Sequence, residues 1–130
     1  LNQIPIADTT IKTKLLIGDL VEYIIFIENN KEKLTDIVSN YAIQDYFKNI
    51  LNGCVYELYF KEHMLEREIN IIDSALELIK PISQLTAKED KSEVILNTFM
   101  TIKKTDNLIR NRLDLFTLRS PEILKLIIEG

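Results

Sequence analysis

At 130 residues, 46% hydrophobic and 28% charged with a net charge of -4, the chain is sized for one compact domain with a proper core. The acidic balance speaks against a wholly basic nucleic-acid binder. Apolar runs such as Tyr23 to Ile27 are cut short by Glu22 and Glu28, far below the roughly 18 residues of a membrane span, and no basic-then-apolar leader signals secretion.

Residues 1–8, which include Pro5, read as an extended entry from a preceding domain, and Leu1 in place of Met agrees with a piece of a longer chain. Asp8, Thr9 and Thr10 are each competent N-caps. From there to Glu28, Ile11, Leu15, Leu16, Leu20, Val21, Ile24, Ile25 and Ile27 follow helical spacing. Gly18 inside that helix costs about 1 kcal/mol relative to Ala, which packing has to offset. Asn29 to Lys33 is a polar break.

The second helix is expected to start between Leu34 and Ser39, and it carries the clearest pattern in the chain. Ile43, Phe47, Ile50, Leu51, Cys54, Val55 and Leu58 recur at spacings of four, three, one, three, one and three, a helical stripe that no alternating strand produces. Gln44, Asp45, Lys48, Asn49, Asn52 and Glu57 fall mostly between these positions and are expected on the wet side. Six of the ten aromatic residues lie between Tyr41 and Phe60, which puts this helix at the centre of the expected core. Gly53 marks either the close approach of a neighbour or a kink.

Beyond Phe60, the run KEHMLERE is dense in charge and reads as a turn or a helical continuation. A third helix then carries Leu65, Ile69, Ile72, Leu76 and Ile79 on one face and closes at Pro81. Thr86 to Glu89 matches a capping box, followed by a helix that turns Val94, Ile95, Thr98, Phe99 and Ile102 inward. Thr105 or Asp106 caps the next, with Ile109, Leu113 and Phe116 as its stripe. Ser120, Pro121 and Glu122 start a closing helix that runs to about Glu129. With three glycines, three prolines and no hairpin dipeptide between alternating strands, the expected fold class is all-α. Residues 1–130 read as a single helical domain, an irregular bundle of five to six helices.

Three parts of the chain carry a resemblance. The run NGCVYELYFKEHM, Asn52 to Met64, resembles the VYELYF segment near the C-terminus of large fused restriction–modification enzymes. These are type IIG-like proteins that join an N6-adenine DNA methyltransferase domain to a Taq-type C-terminal specificity region. LNQIPI, Leu1 to Ile6, is similar to the family's apolar exit from the target-recognition domain. TDNLIRNRL and RSPEIL near the end resemble its closing helices. The resemblance implies a non-catalytic C-terminal helical domain that supports the DNA-recognition region. It further implies duplex DNA and the preceding target-recognition and methyltransferase domains as partners. S-adenosylmethionine and a divalent metal would then belong to the parent enzyme, with no cofactor in this chain. The family's Asn-Pro-Pro-aromatic turn and glycine-rich cofactor loop are absent here, so catalysis would lie elsewhere in the parent.

No other motif spells out a reaction: the chain has neither a glycine-rich phosphate loop nor a GxSxG elbow, and no catalytic residue is assigned. His63, flanked by Glu62 and Glu66, lacks the twice-repeated Glu-x-x-His spacing of a helix-bundle metal site and reads as a solvated histidine. Cys54, the sole cysteine, cannot form an internal disulfide, fits a reducing cytoplasm, and reads as a small core residue. Tyr41, Tyr46, Tyr56 and Tyr59 either stack on bases or cap the core edge with their hydroxyls.

The charge is unevenly placed. Residues 1–100 hold ten Lys/Arg against sixteen Asp/Glu, whereas residues 101–120 hold five against two. Lys103, Lys104, Arg110, Arg112 and Arg119 are therefore the candidate nucleic-acid-binding residues, able to neutralise backbone phosphates without reading bases. The competing reading is a solvated helix face held by ion pairs. Composition alone also allows a function of another class, a free-standing helical protein–protein interaction or dimerisation module.

Overall fold

The computed structural model describes residues 10–104 and 106–119, the last four by their backbone only. Among them are six helices and no strand: α1 Ile11–Asn29, α2 Asn40–Tyr59, α3 Lys61–Glu66, α4 Ile72–Leu78, α5 Lys88–Ile102 and α6 Leu108–Arg119. The architecture is the expected all-α irregular bundle. No helix among the described residues is long and apolar enough to cross a membrane. The extended entry at residues 1–8, Thr105 as a cap, the Phe116 side chain and the closing helix from Ser120 lie outside the described residues.

Thr10 starts α1, its hydroxyl accepting the Thr13 N–H at 3.2 Å. Leu16, Leu20, Tyr23 and Ile27, spaced four, three and four apart, form the face buried against α2. The apolar stripe expected for this helix is too wide to be buried on one side. Ile11, Leu15, Val21 and Ile25 face solvent, and Gly18 has nothing near enough to compensate its helix cost. Tyr23, part of a short apolar run but outside the expected stripe, takes an inner position. Its ring meets Phe47 edge-on at 5.1 Å, while its hydroxyl donates to the Lys80 carbonyl and accepts the Lys80 N–H. A fully buried phenol is thereby satisfied at both its donor and its acceptor.

The polar break between α1 and α2 is ordered by asparagines. Asn40 donates to the Glu32 carbonyl at 2.8 Å and accepts the Leu34 N–H at 3.0 Å, and Asn30 donates to the same carbonyl. Ser39 then caps α2 through the Ala42 N–H. Along α2, Ile43, Phe47, Ile50 and Cys54 are fully enclosed, as their spacing predicts. Leu51 and Leu58 are only half-buried, packed at the edge of this core rather than inside it. Of the residues expected on the wet side, Gln44 and Glu57 are buried. Gln44 bridges to α1, donating to the Ile24 carbonyl and the Glu28 carboxylate.

Gly53 serves close approach within an uninterrupted helix. A Cβ there would stand 2.8 Å from Ile71 Cδ1 and 3.5 Å from Leu113 Cδ2. The segment after Phe60 is helical, but the expected third helix is broken in two. Phe60 leaves the α region, α3 runs for six residues, and Glu68 adopts φ 55°, so α4 begins anew at Ile72. The break explains the fate of the predicted stripe: Ile69, Ile72 and Ile79 are buried, whereas Leu65 and Leu76 remain exposed.

The capping box at Thr86 does not form. α5 begins one residue late for it, with Ala87 at the cap and no side-chain bond, and Glu89 and Asp90 instead favour the positive end of the helix dipole. Its inward residues Ile95, Thr98, Phe99 and Ile102 are buried as expected, with Val94 half-buried. Asn107, rather than Asp106, caps α6: its Oδ1 accepts the Ile109 and Arg110 N–H groups. Ile109 joins the main core, and Leu115 packs on a small second cluster around Met64 and Ile69.

Candidate functional site

The buried face of α2 runs through Ile50, Gly53, Cys54 and Glu57, spaced three, one and three residues apart. Glu57 thus inherits an interior position from the helix period, and α2 brings its carboxylate under the α3–α4 link. There Oε1 accepts the backbone N–H of Ile71 at 2.5 Å and of Ile72 at 3.0 Å. α4 has no side-chain cap of its own, so a residue from α2 supplies it. From the other side, Arg112 of α6 donates through Nη1 to the Asn70 carbonyl at 2.6 Å and to Asn70 Oδ1 at 2.9 Å. Two helices, α2 and α6, are thereby tied to three consecutive residues at the start of α4.

The electrostatics of this joint are those of a brace. Burial pushes the Glu57 carboxyl up, opposed by the two backbone donors, with Asp73 raising it further and Lys61 lowering it. A cleft of about 200 Å³ lies beside it, with Lys12, Lys61, Asn70 and Asp73 among its lining residues. The Glu57 oxygen that accepts from two backbone N–H groups acts as a cap rather than as half of a general acid–base pair. Cys54, one turn back, is fully buried, and its thiol is pushed up to about 12 by burial and then by the Glu57 charge. It is an inert core cysteine.

The basic residues do not form one cluster. Lys103 and Arg110 come together: Arg110 Nη1 donates to the Lys103 carbonyl at 2.7 Å, and Lys103 Nζ sits 4.8 Å from the centre of the Tyr46 ring. Lys104 is exposed beside them. Arg112, two residues from Arg110 and so about 200° around the helix, points to Asn70 instead. The Arg119 side chain is outside the described residues.

Of the tyrosines, Tyr41 and Tyr59 are exposed and Tyr46 and Tyr56 half-buried. Tyr46 packs edge-on against Phe99, and its hydroxyl is enclosed without a hydrogen-bond partner among the described residues. Burial, then the Asp114 charge, pushes that phenol up to about 12, against the lowering pull of Arg110. His63 is half-buried, a departure from the solvated histidine expected. Among the described residues, no three His, Cys, Asp or Glu side chains gather as a ligand set.

The sequence pattern places Glu57 on the wet side and singles out neither Asn70 nor Asn107. Glu57 had a signal, its position three residues after Cys54 and four after Gly53 on the stripe. Asn70 had none, because its role depends on an arginine 42 residues away. No family model, curated protein or solved structure matches the chain.

Proposed function

We propose that this chain is a non-catalytic helical domain of a fused DNA restriction–modification enzyme of the adenine-methylating kind, supporting its DNA-recognition region. The observation that carries this reading is a convergence. Glu57 belongs to the stretch that resembles VYELYF and Arg112 to the stretch that resembles TDNLIRNRL, and the two clasp the same link, Asn70 to Ile72. Stretches that resemble the family separately in sequence therefore share one structural task. That task is holding helices together, which suits support rather than chemistry.

In this reading, Lys103 and Lys104 offer phosphate contact to duplex DNA, giving position without sequence information. S-adenosylmethionine and the divalent metal serve the catalytic domains of the parent, and the isolated chain binds neither. The test begins with the reading frame upstream of Leu1, where an Asn-Pro-Pro-aromatic signature in frame is expected and an immediate stop codon would overturn the proposal. In the parent, Arg112→Ala should weaken DNA methylation while leaving S-adenosylmethionine binding, measured by calorimetry, unchanged. Micromolar binding of that cofactor by the isolated chain would count against the support role.

A further inference from the structure

Helix α1 keeps a second face out of the core. Ile11 is 77% exposed, Leu15 63%, Ile25 53% and Val21 37%. Gly18 sits at the middle of this face, opposite the buried row from Leu16 to Ile27, and a Cβ built there meets nothing within 4 Å. Within the fold, this glycine weakens its helix by about 1 kcal/mol relative to Ala and gains no contact in return. A glycine on an open helix face does permit one thing, the close approach of another backbone.

Helices pack through ridges of residues four apart. On this face the central ridge is Lys14, Gly18 and Glu22, with Ile11 and Leu15 forming the ridge on one side and Val21 and Ile25 the ridge on the other. The central ridge has a basic end, a notch and an acidic end. The pattern complements its own reversal: a cation lies four residues before Gly18 and an acid four after, with apolar residues three and seven away on both sides.

We propose that the occupant of this face is a second copy of the chain, the two α1 helices crossing antiparallel at Gly18. At the common crossing angle of about 50°, the i±4 ridges of two antiparallel helices run alongside each other. Lys14 then meets Glu22 of the second copy at both ends of the contact, and the notch at Gly18 lets the backbones approach. Leu15 and Val21, three residues either side of Gly18, each pack near their own copy across the two-fold axis, while Ile11 and Ile25 carry the apolar flanks towards the opposite ends of the contact. A parallel pairing would instead set Lys14 against Lys14. The inference stands apart from the restriction–modification reading and needs no DNA.

The experiment is analytical ultracentrifugation of the chain with four exposed-site variants, each checked for native helicity by circular dichroism. The wild type should show a concentration-dependent dimer. Lys14→Glu and Glu22→Lys should each weaken it about tenfold, since reversal creates two like-charge contacts, and the double exchange should restore it. Gly18→Cys should form a disulfide-linked dimer under mild oxidation, Cys54 being buried. A chain that stays monomeric up to about 1 mM, a limit corresponding to very weak association, overturns the proposal. So does a dimer that the double exchange fails to restore, or one that Gly18→Cys does not link, because association would then use another face or the parallel sense.

Discussion

Glu57 and Ile71, fourteen residues apart in the chain, are joined by a carboxylate-to-backbone hydrogen bond of 2.5 Å in the protein interior. The same oxygen holds the Ile72 N–H, so one α2 side chain determines where α4 begins. Removing it leaves two buried donors without an acceptor, at a cost of about 1–3 kcal/mol. Glu57→Ala should therefore lower the urea midpoint by a corresponding amount and speed amide exchange at Ile71 and Ile72. Unchanged exchange at those two amides would mean that Glu57 does not cap α4.

The pH dependence of this residue has a definite sign. Burial leaves the folded carboxyl above its ordinary 4.5, with Asp73 adding to the shift and the backbone donors and Lys61 subtracting from it. The native state thus holds this proton more tightly than the unfolded state does. Its contribution to stability is greatest below the ordinary carboxylate value and is lost as pH rises through the folded value. Glu57→Gln mimics the neutral form at every pH and keeps the acceptor oxygen. Between about pH 4 and about pH 7 it should gain stability relative to the wild type. Thermal melts showing a difference that stays flat or reverses over that interval would refute the assignment.

Two glycines should respond oppositely to the same substitution. Gly18→Ala adds a methyl group to open space and should stabilise the monomer by about 1 kcal/mol, measured at low protein concentration. Gly53→Ala must displace Ile71, itself enclosed in the core. The overpacking penalty of about 1–3 kcal/mol should exceed the helix gain there. Chemical denaturation of both variants provides the check, and a stabilised Gly53→Ala would show that Ile71 has room to move.

Adjacent positions on α2 differ in weight. Ile50 is fully buried and Leu51 half-buried. Ile50→Ala should cost about 2–5 kcal/mol, while Leu51→Ala, at the core edge, should fall below about 2 kcal/mol. Equal losses in a denaturation series would mean that the edge packs as tightly as the centre.

Phosphate contact is best probed at the lysines. Arg110 and Arg112 already donate to backbone carbonyls within the fold, so replacing them perturbs structure as well as charge. In the parent enzyme, Lys103→Ala with Lys104→Ala should make the slope of log affinity against log salt shallower by about 0.9 per lost contact, uniformly across DNA sequences. An unmoved slope would identify these lysines as ordinary surface charges.

Helical class and the heart of the core were legible in the chain because both follow from local periodicity. Ile43, Phe47, Ile50 and Cys54 lie on one face of any helix that contains them, and no distant residue changes that. The cap at Thr10, one of three candidates in the sequence, was similarly local, resting on a hydroxyl three residues from the N–H it accepts. Three-dimensional packing decided matters wherever a polar group had to choose its partner. Gln44 and Glu57 read as solvent-facing residues until Ile24 and Ile71 were brought to them, and Tyr23, outside the expected helical stripe, owes its interior place to Lys80. A buried hydrogen bond offsets its desolvation only when both groups arrive together, and the pattern along a single helix carries no information about the second group. The break between α3 and α4 has the same origin: the apolar spacing from Leu65 to Ile79 permits one helix, but a carboxylate from α2 and a guanidinium from α6 hold two.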